Sequence, residues 1–242
     1  MMKIETESIS LKASDGTEMR AYLARPEDNV KRPGMLVFQE AFGVNSHIRE
    51  VTERLAREGW VALAPELFHR TASGFEGSYT DFQSVLPHMQ ALTEAGLEAD
   101  LRAAYAGLRA VPQVDAERIA SVGFCMGGRV SFLADSILPL RAAISFYGGG
   151  IGPGPQGKGL LDRAGDLHAP ILLFWGGLDK HIPPEQHRAV VDAFRLAGKQ
   201  FVNVEFSDAD HGFFCDARAS YNPTAARQAW ALALQFFAVH VG

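Results

Sequence analysis

The amino-acid sequence predicts an α/β fold with a mostly parallel, doubly wound sheet flanked by helices. Short apolar runs alternate with amphipathic segments along the chain. Several of these runs are almost continuously apolar, which is typical of strands that are covered on both faces in a parallel sheet. The alternation of strands with helices further favours right-handed crossovers, which place helices on both faces of the sheet.

The predicted elements follow one another in a regular order. Segments 4–13 and 17–26 form a predicted antiparallel hairpin at one edge, because the Ser-Asp-Gly between them is a good turn signal. Further strands are predicted at 34–40, 60–67, 118–124, 141–148, 171–176 and 201–206. Helices are predicted at 47–58, 96–111, 128–138, 183–198 and 223–240. Two irregular stretches, 69–80 and 149–169, are rich in Gly, Ser or Pro, and long loops are often functional.

Length and composition favour a single domain that spans residues 1–242. The chain has 242 residues, of which 47% are hydrophobic, and this suits one sizeable core. The formal net charge is -5 and the 23 Lys and Arg residues are scattered, so we expect no nucleic-acid partner. The first residues lack the apolar core of a signal peptide, and no run reaches the roughly 20 apolar residues of a membrane span. We therefore expect a cytoplasmic protein that acts on a small molecule, without a membrane.

One of the two cysteines occupies the turn between a predicted strand and a predicted helix. Cys125 is bracketed by Gly123 and Gly127, which is the cysteine version of the G-x-S-x-G nucleophile elbow. Glycines suit a strained turn that leaves no room for side chains. The amide of Met126 would point beside the sulfur at the positive end of the helix, where it lowers a thiol pKa and stabilises an oxyanion. Taken alone, the motif leaves a buried structural cysteine before a glycine-assisted helix start as the less favoured alternative.

A carboxylate and a histidine follow Cys125 in the order that such an elbow requires. Asp179 lies just after one predicted strand, and His211 lies in the loop after the next. A histidine can take the thiol proton and return it to a leaving group, and a carboxylate fixes the histidine tautomer. Separately, Asp179 reads as a helix cap and His211 as a surface residue, but their order and their places at strand ends favour a triad. The acidic residues nearest the histidine in sequence are expected to be solvated: Asp208, Asp210 and Asp216.

The sequence resembles the dienelactone hydrolase (carboxymethylenebutenolidase) family over essentially its whole length. The matching motifs are FQEAFGVN, GFCMGGR, SFYG, GGLDKHIP and DADHGFFCDARASYN. The resemblance implies an α/β-hydrolase fold in which Cys125 is the nucleophile, His211 the base and Asp179 its partner. It also implies that Glu40 is the family's additional glutamate, which interacts with the cysteine in the free enzyme and moves when substrate binds.

The positions of Glu40 and Ala41 also suit the expected site on physical grounds. Glu40 ends the predicted strand 34–40, which should deliver it to the crevice at the carboxyl ends of the strands. A carboxylate there can hold the resting thiol, and a glutamate that merely faces solvent is the competing interpretation. The amide of Ala41 would be the second oxyanion donor beside that of Met126.

The substrate-binding residues are less clearly indicated. Members of the family that act on dienelactone bind its carboxylate with two arginines, and no Lys or Arg occurs here between Arg70 and Arg102. The second arginine is displaced to Arg218, seven residues after the histidine. Since a missing bidentate arginine weakens anion recognition, the native substrate need not be dienelactone itself. An aromatic pocket lining is predicted, with core packing as the alternative, from Phe42, Tyr147 and Phe213.

The predicted function is therefore hydrolysis of a small lactone or ester, dienelactone-like, through a Cys-His-Asp triad and a cysteinyl thioester. A carboxylesterase or thioesterase that acts on a different substrate, charged or uncharged, would share the triad and differ only in the pocket. A ligand-binding homologue without catalysis is a third interpretation, because fold does not imply function. No cofactor and no metal are expected, and the protein is expected to be a monomer or a small homo-oligomer.

Overall fold

The computed structural model describes residues 2–154, 157 and 159–242. These residues form two compact units, one that ends at Ala120 and one that begins at Ser121, which are described in turn. Pro155, Gln156 and Lys158 of the predicted irregular stretch 149–169 lie outside the described residues. The prediction of a single domain over 1–242 stays a prediction.

The first unit is built on a hairpin and two further strands with helices packed against them. Its elements are β1 (Ile4–Lys12), β2 (Glu18–Pro26), β3 (Arg32–Phe38), α1 (Ser46–Arg57), β4 (Val61–Pro65), α2 (Leu86–Gln90), α3 (Glu94–Ala110) and the start of β5 (Val114–Phe124). Within the unit the strand order is β1-β2-β4-β3, antiparallel from β1 to β4 and parallel between β4 and β3. The predicted hairpin is confirmed, with Ser8 opposite Tyr22 and a turn in which Gly16 adopts a φ of +85°.

The second unit continues the alternation of strands with helices. After the end of β5 it contains α4 (Met126–Ile137), β6 (Ala142–Phe146), a short 3₁₀ helix (Leu161–Asp166), β7 (Ile171–Gly176), α5 (Pro184–Leu196), β8 (Phe201–Phe206) and α6 (Pro223–His240). Strands β6, β7 and β8 are parallel neighbours. Every residue of β6 and β7 is buried, as expected for central parallel strands, whereas β8 is partly exposed.

The predicted fold class is confirmed as an α/β fold with a mostly parallel sheet flanked by helices. The bounds of β7, β8 and α6 agree with the predicted ranges, because strong apolar patterns and the turn residues beside them mark both ends. Strand β3 ends at Phe38, so Glu40 follows the strand instead of ending it. Helix α2 was not predicted, since five residues are too short to show a helical period. None of the helices in the described ranges combines the length and the apolar character that a membrane span requires.

Candidate active site

The turn between β5 and α4 has the strained geometry of a nucleophile elbow. Cys125 has a φ of 55° and a ψ of −118°, a conformation that L-residues rarely adopt and that is enriched at functional sites. A Cβ on Gly123 would lie 1.8 Å from the carbonyl oxygen of Gly127, so the approach of α4 to β5 requires glycine at 123. A Cβ on Gly128 would lie 2.8 Å from the Phe146 oxygen, so a second close approach adds Gly128 to the glycines predicted at this turn.

The Cys125 side chain is partly exposed and forms a hydrogen-bonded chain with a histidine and an aspartate of the same unit. The Cys125 Sγ lies 3.1 Å from the Nε2 of His211, and the Nδ1 of His211 lies 2.7 Å from the Oδ2 of Asp179. The other carboxylate oxygen of Asp179 accepts the backbone N–H groups of His181 (2.7 Å) and Ile182 (3.1 Å). The carboxylate is therefore fixed on one side and directed at the imidazole on the other.

The charges in this series of hydrogen-bonded side chains stabilise an imidazolium at His211. Burial disfavours the charge on His211, but the Coulombic attraction of the Cys125 thiolate and the hydrogen bond to Asp179 outweigh it, and they raise the pKa of the imidazole. Burial also opposes the charge on Asp179, yet the imidazole and the two backbone amides lower the pKa of this carboxyl. The hydrogen bond between His211 and Asp179 contributes to both shifts, and it favours an imidazolium held by a carboxylate.

Two aromatic rings flank the imidazole of His211. The Tyr147 ring is centred 5.2 Å away and the His181 ring 5.5 Å away, both nearly edge-on. Tyr147 is fully buried and has a φ of +38°, so it is held in a sparsely populated conformation immediately after β6. The exposed His181 was not singled out as a site residue from the sequence, although it lies in the GGLDKHIP motif two residues after Asp179.

The segment after His211 turns back on itself. Arg218 is half-buried, and a Cβ on Gly212 would lie 2.4 Å from the guanidinium carbon of Arg218, which shows that the guanidinium packs against the peptide next to His211. Successive turns closed by Cys215 N–H to Gly212 and by Arg218 N–H to Cys215 bring the arginine back. The displaced arginine of the sequence therefore lies beside the histidine.

The aromatic residues predicted to line the pocket are largely buried. Phe213 is completely buried, with its ring 5.3 Å from the rings of both Tyr147 and Phe206, and Phe42 is 3% exposed. Substrate contact by these side chains stays a prediction, and packing accounts for part of their presence.

In the first unit, the residues that follow β3 form a buried turn. Glu40 and Ala41 are both fully buried, so the glutamate does not simply face solvent. The side chain of Gln39 holds this region by donating to the carbonyl oxygen of Glu40 (3.4 Å) and accepting the N–H of Leu67 (3.1 Å). The carboxyl end of β3 thus presents a glutamate followed by a fixed backbone.

An α/β fold with a cysteine at a strand-to-helix turn, followed by an aspartate and a histidine after later strands, defines the α/β-hydrolase class. Comparison with known proteins agrees with this class. The model of the dienelactone hydrolase family matches residues 19–241. A protein from Synechocystis sp. named carboxymethylenebutenolidase is 38% identical over 228 residues, which cover 91% of each chain. A protein of the same name from Salmonella typhimurium is 36% identical over 95% of this chain and 86% of its own.

Solved structures lead to the same assignment. A crystal structure from Klebsiella pneumoniae, named as a dienelactone hydrolase, matches with a TM-score of 0.89 at 34% identity, and it covers 98% of this chain and 99% of its own. The chain belongs to the dienelactone hydrolase family, and it is a hydrolase.

Proposed function

We propose that this hydrolase cleaves a small lactone or ester, dienelactone-like, through a Cys-His-Asp triad and a cysteinyl thioester. The observation that carries the proposal is the continuous chain from the Cys125 sulfur through His211 to Asp179, at 3.1 and 2.7 Å. A nucleophile within reach of a base, with the base oriented by a third group, is the general signature of covalent catalysis.

In the first half-reaction, His211 Nε2 holds the proton of Cys125, and the thiolate attacks the substrate carbonyl carbon. A carbon–sulfur bond forms, and the carbonyl electron pair moves to oxygen. The amide of Met126, the first residue of α4, is the proposed donor to that oxyanion at the positive end of the helix, with the amide of Ala41 as the second donor. When the intermediate collapses, the carbon–oxygen bond breaks and the leaving oxygen takes the proton from His211.

In the second half-reaction, water hydrolyses the thioester. His211 takes a proton from the water as the oxygen attacks the acyl carbon, and the thiolate of Cys125 leaves. Asp179 keeps the same imidazole tautomer and supports its positive charge in both halves. Because a thiolate is a good leaving group, the scheme favours substrates whose departing oxygen is stabilised, such as enol lactones.

Glu40 is proposed to restrain the resting thiol. Glu40 is completely buried directly after β3. Because carboxylates are almost never fully buried unless they are paired, this burial supports a role other than contact with solvent. We expect Glu40→Gln to be alkylated at Cys125 by iodoacetamide several-fold faster than the wild type. An unchanged alkylation rate would contradict this role.

Arg218 is the proposed contact for a substrate carboxylate, because its guanidinium packs beside the backbone next to His211. Phe42, Tyr147 and Phe213 are proposed to form the aromatic wall of the same site. The protein is further proposed to act in the cytoplasm as a monomer or small homo-oligomer.

The decisive experiment measures kcat/KM for cis- and trans-dienelactone by ultraviolet absorbance, with p-nitrophenyl acetate as an uncharged ester, for the wild type and Cys125→Ala. Cysteine-dependent turnover of dienelactone supports the full proposal. Turnover of the uncharged ester alone supports the second candidate, a carboxylesterase or thioesterase. The absence of Lys and Arg between residues 70 and 102 favours that candidate. No turnover of either substrate would support a ligand-binding homologue.

A further inference from the structure

The turn at residues 41–45, which carries the Ala41 amide, is held by a separate segment of the first unit. We propose that residues 75–79, here called the brace, position this turn so that the Ala41 amide can stabilise the oxyanion. The inference rests on the proposed function and deepens it, because it assigns positioning residues to one of the two oxyanion donors.

Backbone contacts form the first part of the brace. The N–H of Gly77 donates to the carbonyl oxygen of Phe42 at 3.0 Å. Gly43 has a φ of +79°, and a Cβ on it would lie 1.9 Å from the carbonyl oxygen of Phe75. Glycine at 43 is therefore required both by the backbone angle and by the close approach of the brace.

Side chains form the second part of the brace. The amide nitrogen of Asn45 donates to the Tyr79 hydroxyl at 2.9 Å, while its oxygen caps α1 by accepting the N–H of Ile48. The Tyr79 ring also packs on Phe42, with ring centroids 4.6 Å apart. Two residues of the turn, Phe42 and Asn45, are thereby fixed to one tyrosine.

An ion pair completes the arrangement. Arg49 donates to both carboxylate oxygens of Glu76, at 2.6 and 3.2 Å, and also to the carbonyl oxygen of Val44 at 2.7 Å. A bidentate pair of this kind fixes the direction of the guanidinium, and so the brace orients the donor that holds Val44. The carbonyl groups on both sides of Gly43 are now bonded to the brace or to a residue that it orients.

The effect of the brace on the Ala41 amide depends on the planarity of the peptide group. The Ala41 N–H lies in the same peptide plane as the carbonyl group of Glu40, to which the Gln39 side chain donates. On the other side of Ala41, the brace binds the carbonyl group of Phe42. Since oxyanion donors act through preorganisation, a small displacement of such an amide reduces the rate without reducing substrate affinity equally.

The test compares Tyr79→Phe and Glu76→Gln with Glu98→Gln, a matched control that disrupts the Arg102–Glu98 pair on α3. For the ester that the wild type hydrolyses, we expect kcat to fall about tenfold in the two brace variants. KM and the thermal midpoint should remain close to those of the wild type, and the control should be unaffected. A trifluoromethyl ketone, which forms a tetrahedral adduct with the cysteine, should bind the brace variants more weakly by the same factor. Alkylation by iodoacetamide, which forms no oxyanion, should keep its rate.

Each outcome separates the two proposals. Cysteine-dependent turnover with wild-type kcat in both brace variants overturns the brace and leaves the proposed function standing. A loss of kcat without weaker binding of the ketone would contradict the proposed role of the brace. An equal loss in the rate of alkylation would contradict it as well. A wild type without cysteine-dependent turnover overturns the proposed function, and the brace with it.

Discussion

Two histidine–aspartate pairs among the residues that the structure describes, one in each unit, can be compared, and their surroundings differ. In the first unit the Nε2 of His69 lies 3.0 Å from an oxygen of Asp100. In the second unit the Nδ1 of His211 lies 2.7 Å from an oxygen of Asp179. Both aspartates are almost completely buried, so distance and burial alone do not distinguish the pairs.

The pair in the first unit is saturated by the protein itself. Arg70 donates to both oxygens of Asp100, at 2.6 and 2.8 Å, and the second nitrogen of His69 lies 3.1 Å from the carbonyl oxygen of Glu18. Arg70 also bonds to Asp15 in the turn of the hairpin, which ties that turn to α3. The hydrogen bonds of Asp100 raise the pKa of Arg70, so this network acts as a fixed ion pair.

The pair in the second unit has a thiol in place of the arginine and the carbonyl group. The second nitrogen of His211 faces the Cys125 sulfur, and the spare oxygen of Asp179 accepts only backbone amides. The imidazole of His211 therefore has a neighbouring sulfur with which it can exchange a proton. The third partner of the imidazole, and not the His–Asp contact, is what differs between the two pairs.

The largest expected effect comes from breaking the second pair at the histidine. We expect His211→Ala to lower kcat/KM by about 10⁴-fold, because both the proton acceptor and the partner of the thiolate are lost. The matching change His69→Ala should reduce stability instead and leave the activity of the folded protein nearly intact. Steady-state hydrolysis and urea unfolding of both variants provide the check, and an equal loss of activity in the two would remove the distinction.

The next effect concerns the carboxylate. Asp179→Asn keeps the size of the side chain but removes the charge that supports the imidazolium, and kcat/KM should fall about 10³-fold. The control is Asp210→Asn, because Asp210 is exposed and accepts only the backbone N–H of His211, at 2.6 Å. Kinetics on both variants should show a change within about threefold for Asp210→Asn. A comparable loss in both would mean that the wrong carboxylate has been assigned.

A third change should act on stability alone. Asp100→Asn removes the buried carboxylate that accepts two hydrogen bonds from Arg70, while the Arg70–Asp15 pair remains. Losing charged hydrogen bonds of this kind costs about 3 kcal/mol of unfolding free energy. Asp192→Asn disrupts the exposed Asp192–Arg195 pair and should cause no measurable change in a urea titration. If Asp100→Asn unfolds at the wild-type midpoint, the first pair is not a structural ion pair.

Sequence reasoning found the second pair and not the first, for a physical reason. Cys125, Asp179 and His211 each come after a strand that the sequence predicts, and the carboxyl ends of parallel strands meet at one edge of a sheet. His69 and Asp100 are 31 residues apart, and neither belongs to a spaced motif. Their contact depends on how α3 packs, which periodicity does not specify.

Other details also depended on tertiary geometry. The positive φ of Tyr147 has no sequence signal, because non-glycine residues adopt it only when their surroundings force it. The return of Arg218 to Gly212 required two successive turns that composition does not encode. The fold class and the order of the candidate site residues were thus predictable, whereas the contacts that complete the site were not.

A buried aspartate without a charged partner at contact distance sharpens the comparison further. Asp135, on α4, is fully buried, and its Oδ1 accepts the N–H of Ala169 at 3.0 Å. Burial raises the pKa of this carboxyl to about 8, although the backbone amides and the charge of Lys199 act in the opposite direction. Asp100 shows how an arginine stabilises a buried carboxylate, and Asp135 shows that backbone amides in its place leave the charged form disfavoured.

The smallest expected effect is therefore a pH dependence of stability that Asp135 supplies. Its raised pKa means that the folded state keeps a proton that the unfolded chain has already lost, so the contribution is fully present below about pH 4 and is lost as the pH rises toward 8. Asp135→Asn cannot ionise, and between pH 5 and pH 7 the wild type should lose about 2 to 3 kcal/mol of unfolding free energy relative to it. Urea unfolding of both proteins at these two pH values measures the difference. If the difference in unfolding free energy between the two proteins is the same at both pH values, Asp135 is already ionised in the folded state at pH 5. Its backbone amide contacts would then stabilise the carboxylate as an arginine does.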